Sequence, residues 1–314
     1  MAKPVLLSFH PNGPKGLDDL SDRFRIIKLF HEDDPEAVIQ DCKDDVVAIN
    51  CTMDHKITDK IIAALPNLEI IATYSVGFDH IDLESAKKHG VKVTNTPKVL
   101  AAETADTGMA LLLATARRIV EADMYVRVGK WLTSDMPLGT SLANKRIGIV
   151  GLGDIGSKVA RRCEAFDMEV VYHGRHEQKD KPYKYYADVV EMAKDCDFLM
   201  LCCPGGAATA NLVDIHVLEA LGPEGILINI ARGSVVDEPA LVEALQNGTI
   251  AAAGLDVFAK EPHVPVEYIS MDNVVLLPHI GSATLETRTK MGQLVIDNIL
   301  AHFDGKPLLT EVIK

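Results

Sequence analysis

Three polar side chains of the types that could reduce a ketone each follow an apolar run: Arg232, Glu261 and His279. An imidazolium gives up a proton near neutral pH, which suits it to protonate the alkoxide that develops when hydride adds to a carbonyl carbon. A neighbouring carboxylate favours the charged imidazolium and orients the ring. A guanidinium offers paired, planar donors to a carboxylate and to a carbonyl oxygen. We therefore predict that His279 is a general acid paired with Glu261, and that Arg232 and His279 bind a 2-keto acid.

A glycine-rich turn is the second chemical signal. The apolar run Arg146–Val150 ends in Gly151-Leu152-Gly153-Asp154-Ile155-Gly156 and continues as a predicted helix over 157–166. At this spacing the first glycine makes a tight turn, the second lets the backbone approach a pyrophosphate, and the third lets the helix pack on the strand. The amides of the helix start then face the phosphates with the positive end of the helix dipole. We predict that these six residues bind a dinucleotide.

The next predicted strand decides which dinucleotide is preferred. It runs over 169–172 and is followed by His173-Gly174-Arg175-His176, with no acidic residue between Glu169 and Glu177. NAD-binding proteins usually place a carboxylate here for the ribose 2′-OH, whereas a 2′-phosphate needs a cation. We predict that Gly174, Arg175 and His176 bind NADP, with NAD also accepted. The alternative is that Arg175 is an ordinary solvated cation.

Short β-rich runs alternate with helical segments along the chain, which is typical of an α/β protein with parallel sheets and crossover helices. One series of strands occupies the first hundred residues. A single long helix is predicted over 99–128, and a second series of strands begins at Arg146. A last amphipathic run over 284–303 would carry the chain back to the first series. The length of 314 residues also indicates about two domains.

Composition excludes several classes of function. There are 32 Lys and Arg against 45 Asp and Glu, a formal charge of −13, which argues against a nucleic-acid or anionic-membrane surface. The six cysteines show no metal-ligand spacing, so we predict no metal site and buried, reduced thiols. No stretch approaches the roughly 18 apolar residues of a membrane span, and the first residues lack the features of a signal peptide. We expect a cytoplasmic protein.

Taken singly, each of the three polar residues also fits a structural role, but their combination at strand ends downstream of a dinucleotide turn resembles the D-isomer-specific 2-hydroxyacid dehydrogenase family. The matching stretches are 151–156, 229–233, 254–258 with Glu261-Pro262, and 277–282. The resemblance implies two Rossmann-like domains: a flavodoxin-like substrate domain made of residues 1–98 and 285–314, and a central doubly wound dinucleotide-binding domain over 99–284. It also implies a homodimer, and a catalytic set of Arg232, Glu261 and His279.

The same resemblance assigns further site residues. Asp256 is expected beside the nicotinamide. Other residues implied to line the cofactor are Thr104, Cys203, Pro204, Thr209, Ile230, Ala231 and Gly281. The turn Ser75-Val76-Gly77 is implied to hold the substrate carboxylate, and consecutive backbone N–H groups in a tight turn do form an anion-binding nest.

Within the family, the stretches 74–80, 174–175 and 252–256 resemble the glyoxylate/hydroxypyruvate reductase branch, whose members typically prefer NADPH. The expectation is an enzyme that reduces glyoxylate, hydroxypyruvate or a similar small 2-keto acid to the D-2-hydroxy acid. One alternative is a reductase of a bulkier 2-keto acid such as an aryl pyruvate. Another is a non-catalytic, nucleotide-sensing protein like the corepressors that share this fold.

Overall fold

The computed structural model describes residues 3–313, which form two α/β domains. The terminal domain combines the residues up to Leu100 with those from Ser282 onward, and the central domain is Ala101–Gly281. The joins predicted from the sequence lie instead after residues 98 and 284. Every strand pair in both sheets is parallel, and the α/β prediction is confirmed.

The terminal domain is built on a five-stranded sheet. Its strands are β1 (Val5–Ser8), β2 (Arg25–Lys28), β3 (Val46–Cys51), β4 (Ile70–Thr73) and β5 (Lys92–Thr94). Their order is β2-β1-β3-β4-β5, which is the flavodoxin-like arrangement. Strands β1 and β4 are buried along their whole length, as expected for a sheet covered by helices on both faces.

The central domain is built on a seven-stranded sheet. Its strands are β6 (Arg146–Val150), β7 (Glu169–His173), β8 (Lys184–Tyr186), β9 (Phe198–Leu201), β10 (Ile226–Asn229), β11 (Ala252–Leu255) and β12 (Val274–Leu276). The order β12-β11-β10-β9-β6-β7-β8 is that of a doubly wound dinucleotide-binding fold. The chain leaves β6 toward β7 on one side and later returns to β9 on the other. Ligands of such sheets bind at this switch point, outside the carboxyl ends of the strands.

Helices cover the sheets. They are α1 (Pro35–Cys42), α2 (Asp59–Ala63), α3 (Leu83–Lys88), α4 (Ala101–Ala116), α5 (Ile119–Arg127), α6 (Asp154–Glu164), α7 (Val189–Lys194), α8 (Ile215–Leu221), α9 (Glu238–Asn247), α10 (Val266–Ile269) and α11 (Leu285–Phe303). Several begin at an aspartate or threonine whose side chain accepts a backbone N–H of the first turn, including Asp188 before α7 and Thr284 before α11. No helix among residues 3–313 is long and apolar enough to cross a membrane.

The prediction of one helix over 99–128 is wrong. The chain breaks between α4 and α5 at Arg118, whose backbone is left-handed with φ 53°. In a continuous helix the Ala116 carbonyl would accept the N–H of Val120, but here it accepts that of Thr140 at 2.7 Å. A loop distant in sequence therefore ends α4. Local helix propensity does not predict this end, because the partner of Ala116 lies outside the helical segment.

Strand β8 has no counterpart in the sequence-based assignment. It is an edge strand of three residues, Lys184–Tyr186, with no fully buried member. Its alternation is too short to distinguish from a loop. Helix α6 also begins at Asp154, inside the glycine-rich turn, rather than at residue 157.

Candidate active site

The three predicted catalytic residues lie in the loops that follow three neighbouring strands of the central sheet. Arg232 follows β10, Glu261 follows β11 and His279 follows β12. Because parallel strands present their carboxyl ends at one edge, all three loops emerge on the same side of the sheet. Each of the three side chains is half-buried.

His279 and Glu261 form a hydrogen-bonded pair. The Nδ1 atom of His279 lies 2.6 Å from Oε2 of Glu261. Burial raises the pKa of Glu261, but the hydrogen bond and charge of His279, the Phe258 N–H and the charge of Arg232 together hold that pKa below its usual value. The carboxylate is therefore ionised at neutral pH. The Glu261 carboxylate binds Nδ1 of the ring, so Nε2 is the nitrogen that can donate a proton to a substrate.

The loop that carries Arg232 is shaped by Asn229, the last residue of β10. The buried amide of Asn229 accepts the N–H of Ala231 at 2.9 Å and donates to the Arg232 carbonyl at 3.0 Å. The next residue, Gly233, packs directly on the backbone of the loop after β11, where a Cβ would overlap the Phe258 carbonyl carbon. Glycine is required at this contact, and it fixes the arginine loop against the glutamate loop.

Asp256 holds the backbone on the other side of His279. Its two carboxylate oxygens accept the N–H groups of Ile280 and Gly281 at 2.7 and 2.8 Å. His279 itself has a positive φ of 54°, a conformation that disfavours a non-glycine residue. Burial raises the pKa of Asp256, and the two N–H bonds oppose that rise. In this structure Asp256 acts as a clamp on the strained histidine loop.

The glycine-rich turn fits a dinucleotide. Gly151 has φ 94°, and a Cβ there would lie 2.7 Å from the Cα of Cys203, which follows β9. A Cβ on Gly156 would overlap the Gly151 carbonyl, so the helix can approach the strand only with glycine. A Cβ on Gly153 would instead meet nothing within 4 Å in the described chain. The turn therefore leaves open space above the N-terminus of α6, where N–H groups without helical partners can bind a phosphate.

The loop after β7 is tied to this turn. The Gln178 side chain donates to the Leu152 carbonyl at 3.1 Å, and its N–H donates to the Tyr172 hydroxyl at 2.6 Å. Between these anchors the side chains of Arg175 and His176 are exposed. No carboxylate of the described chain lies within ion-pair distance of Arg175. The loop that carries Arg175 is thus anchored to the glycine turn, and its exposed guanidinium forms no ion pair among residues 3–313.

The other residues implied to line the cofactor also lie in the central domain. Cys203, Ile230 and Ala231 are buried at the ends of β9 and β10. Pro204 and Thr209 close a small loop, in which the Thr209 hydroxyl donates to the Pro204 carbonyl at 2.7 Å. Thr104 on α4 packs against Gly281, where a Cβ would lie 3.3 Å from its methyl group.

The turn Ser75-Val76-Gly77 follows β4 of the terminal domain. Its three carbonyls accept bonds from the Thr96 N–H, the Asn95 amide and the Ser75 hydroxyl at 2.8, 2.8 and 2.6 Å. No acceptor in the described chain takes the N–H of Val76 or Gly77. The two amides therefore form an anion-binding nest. The buried Ser75 side chain closes the turn.

Two residues outside the predicted site support its loops. Glu238 accepts the N–H of Ala259 at 3.1 Å and so braces the loop that carries Glu261. Asn229 belongs to the stretch 229–233, but its role in the loop is not predicted from the sequence. The signal that could have revealed it is a polar residue at the end of an otherwise apolar strand. Nothing near Glu238 in sequence points to its contact.

A doubly wound sheet whose carboxyl edge carries a glycine-rich turn, a guanidinium and an imidazole–carboxylate pair defines an oxidoreductase that uses a nicotinamide dinucleotide. The profile of "D-isomer specific 2-hydroxyacid dehydrogenase, NAD binding domain" matches residues 109–281. The chain belongs to this family, and the resemblance seen in the sequence is confirmed.

Similar proteins cover nearly the whole chain. Glyoxylate/hydroxypyruvate reductase A HPR2 of Arabidopsis thaliana is 44% identical over 296 residues, 94% of this chain and 95% of that protein. Hydroxyphenylpyruvate reductase of Plectranthus scutellarioides is 50% identical over 254 residues, 81% of each chain. A solved NADPH-dependent glyoxylate/hydroxypyruvate reductase from Sinorhizobium meliloti, in complex with NADP and malonate, is 41% identical with a TM-score of 0.91, covering 99% of this chain and 97% of that one.

Proposed function

We propose that the protein reduces a small 2-keto acid, glyoxylate or hydroxypyruvate, to the D-2-hydroxy acid. The observation that carries this is the 2.6 Å pair of His279 and Glu261 in a loop cluster shared with Arg232. The relatives named as glyoxylate/hydroxypyruvate reductases, which match at 41% and 44% identity, support this substrate class.

The chain's own residues hold and protonate the substrate. When bound, a reduced nicotinamide dinucleotide supplies the hydride that adds to the keto carbon. The carbonyl electron pair moves onto oxygen, which takes the proton from Nε2 of His279 and becomes the hydroxyl of the product. The Glu261 carboxylate stabilises the imidazolium before transfer. The Arg232 guanidinium binds the carboxylate and polarises the carbonyl oxygen.

The N–H groups of Val76 and Gly77 bind the substrate carboxylate. Their carbonyls are already engaged, so the turn presents only donors. A protein with a formal charge of −13 repels anions at long range and needs such local donors to retain one.

The preferred cofactor is NADP. Arg175 and His176 are exposed at the end of β7, and Gln178 anchors their loop to the glycine turn. A cation in this position pairs with a 2′-phosphate, and the carboxylate that would select the 2′-OH of NAD is missing from the strand end. The NADP complex of the Sinorhizobium meliloti reductase supports this preference.

The protein is a homodimer that associates through residues 119–138. Helix α5 buries none of its residues, and this segment exposes eight large hydrophobic side chains, among them Trp131 at 68%, Leu132 at 90% and Leu138 at 94%. Beside them runs a groove of about 920 Å³. Exposed apolar patches of this kind mark protein interfaces.

Analytical ultracentrifugation should give a dimer, and Leu132→Asp with Leu138→Asp should give a monomer. A monomeric wild-type protein would contradict the assignment.

We place the protein in the cytoplasm, because its six cysteines are unpaired, with five of them buried and Cys202 half-buried. Unpaired thiols in this number fit a reducing compartment.

Steady-state assays that follow the loss of reduced-nicotinamide absorbance test the proposal. Glyoxylate and hydroxypyruvate should be turned over, with kcat/KM higher for NADPH than for NADH. If neither acid nor a panel of other 2-keto acids is reduced while NADPH binds tightly, the nucleotide-sensing alternative replaces the enzyme.

A reductase of aryl pyruvates is the second candidate, since the hydroxyphenylpyruvate reductase is 50% identical. The ratio of kcat/KM for hydroxypyruvate and phenylpyruvate separates the two, and a ratio below one favours the aryl substrate.

A further inference from the structure

A group of aromatic and cationic side chains at the carboxyl edge of the terminal sheet has no part in the mechanism above. We call it the His10 cluster: His10 after β1, His55 after β3, Tyr74 after β4, and Arg288 on α11. Tyr74 is followed directly by the turn Ser75-Val76-Gly77, so the cluster and the two nest amides lie at the same edge of the same sheet. Open α/β sheets bind ligands along this edge.

The cluster is built on Tyr74, which is 1% exposed. The Tyr74 hydroxyl donates to the backbone carbonyl of Arg288 at 2.8 Å. The ring of His10 stacks on Tyr74, with centroids 5.0 Å apart and planes at 26°. The Arg288 guanidinium carbon lies 5.9 Å from the Tyr74 ring centroid, within the range of a cation–π contact. The three side chains therefore hold one another in place.

The loop that carries His10 is also fixed. Asn12 is fully buried and donates from its amide to the carbonyls of Gly16 and Gly292 at 2.7 and 3.1 Å, which ties the loop to α11. A buried amide with two partners is costly to move. The position of His10 is thus set by the fold.

His10 carries a hydrogen-bond donor on Nε2. The Asn12 N–H donates to Nδ1 of His10 at 3.0 Å, so the proton of the neutral ring is on Nε2. Burial, followed by the positive charge of Arg288, lowers the pKa of His10 to about 4, with Asp54 opposing and His55 adding to that effect. The ring is neutral at physiological pH.

Arg288 forms no ion pair with a carboxylate of residues 3–313. Its Nε donates to the Ser282 carbonyl at 3.3 Å, and no carboxylate of the described chain lies within 4.0 Å of its guanidinium. The Nδ1 atom of His55 is buried and has no hydrogen-bond partner among residues 3–313. A guanidinium and an imidazole N–H are both hydrogen-bond donors. They bind a ligand that presents an oxygen acceptor and disfavour one that presents an aromatic or methyl group.

We propose that Arg288 and His10 form a polar subsite that recognises an oxygen substituent on the substrate carbon chain beyond the keto group. The chemical class selected is a 2-keto acid with a hydroxyl on C3. This inference rests on the proposed function, since it deals with the substrate of the same reaction.

Hydroxypyruvate and pyruvate are a matched pair, because they differ only in the C3 hydroxyl. The wild-type protein should have the higher kcat/KM for hydroxypyruvate. Arg288→Gln should lower the hydroxypyruvate-to-pyruvate ratio about 10- to 100-fold, the range for losing a hydrogen bond to a charged group. Arg288→Lys keeps the charge and should recover part of the ratio. The Tyr74 bond is to the Arg288 backbone, so these substitutions leave it in place.

His10→Phe provides a second variant. It keeps a ring stacked on Tyr74 and removes the Nε2 donor, so the ratio should again fall. Inhibition by D-glycerate and D-lactate, which also differ by the C3 hydroxyl, should show the same loss of discrimination in binding alone. Lys290→Gln removes an exposed cation two residues from Arg288 and serves as the control, with an unchanged ratio.

The outcomes separate the two proposals. If the folded Arg288→Gln and His10→Phe variants keep the wild-type ratio, the subsite is wrong while the reductase assignment stands. If the wild-type protein reduces none of glyoxylate, pyruvate and hydroxypyruvate, the proposed function fails first. A fall in the ratio for either folded variant, matched in the inhibition constants, supports the subsite.

Discussion

The carboxylate of Glu261 accepts two hydrogen bonds, one from Nδ1 of His279 at 2.6 Å and one from the N–H of Phe258 at 2.9 Å. The bond from Phe258 lies within the loop that carries Glu261, so it holds the carboxylate in place independently of the imidazole. Glu261 is thus a fixed anion against which the ring of His279 is oriented. Glu261 contributes to proton transfer both by orienting the His279 ring and by its negative charge, and substitutions can separate these two effects.

Glu261→Gln keeps the length of the side chain and removes its charge. Because the neutral amide no longer stabilises the positive charge that His279 carries before it transfers its proton, kcat should fall at least about tenfold. Steady-state turnover of the folded variant checks this. A variant with the wild-type kcat would show that the charge of Glu261 has no part in proton transfer.

Asp256→Asn tests the clamp on the histidine loop. An amide can accept at only one of its two terminal atoms, so one of the N–H bonds from Ile280 and Gly281 must be lost. Unfolding free energy should fall by about 1 kcal/mol, and kcat should fall more than substrate KM rises. Hydrogen exchange of residues 280 and 281 should accelerate. Asp272→Asn, an exposed acid in the same domain, is the control. Unchanged exchange at 280 and 281 would refute the clamp.

Arg175→Ala tests the basis of cofactor preference. Loss of a charge-assisted bond to the 2′-phosphate should raise KM for NADPH about 10- to 100-fold and leave KM for NADH nearly unchanged. Arg161→Ala, which removes an exposed cation elsewhere in the central domain, should affect neither value. Equal effects of Arg175→Ala on both cofactors would show that this side chain does not touch the 2′-phosphate.

His10 predicts a pH dependence of stability. Its pKa is lowered from 6.5 to about 4 in the folded protein, so between these values the unfolded chain binds the proton more readily. Stability is then fully present above pH 6.5 and decreases as the pH falls toward 4. Urea unfolding of the wild type and of His10→Gln should show a smaller loss in the variant across this window. His89→Gln, which replaces an exposed histidine, should keep the wild-type dependence. Identical slopes for wild type and His10→Gln would contradict the assignment.

The parts of the molecule that depend on local pattern could be predicted from the sequence. The strand-turn-helix around Gly151 and the apolar strands were visible because spacing and periodicity encode them. The end of α4 at Ala116 and the edge strand β8 were not, because each is decided by a partner distant in the chain, such as the N–H of Thr140.

The candidate site divides in the same way. The residue types Arg232, Glu261 and His279 suggested their chemistry, and the strand ends suggested that they lie together. The positive φ of His279 and the bracing of Ala259 by Glu238 are tertiary facts that no residue pattern shows. The lack of an ion pair between Arg288 and any carboxylate in the described part of the chain likewise becomes visible only when its neighbours in space are known.

Turnover of His279→Ala tests the central claim most directly. Hydroxypyruvate reduction should be measured at neutral pH, with NADPH affinity determined separately by fluorescence titration. The account predicts a kcat about 10²- to 10⁴-fold lower, the range for removing a general acid, with the nucleotide bound as tightly as before. Turnover close to that of the wild type, in a folded variant that binds NADPH normally, would contradict it.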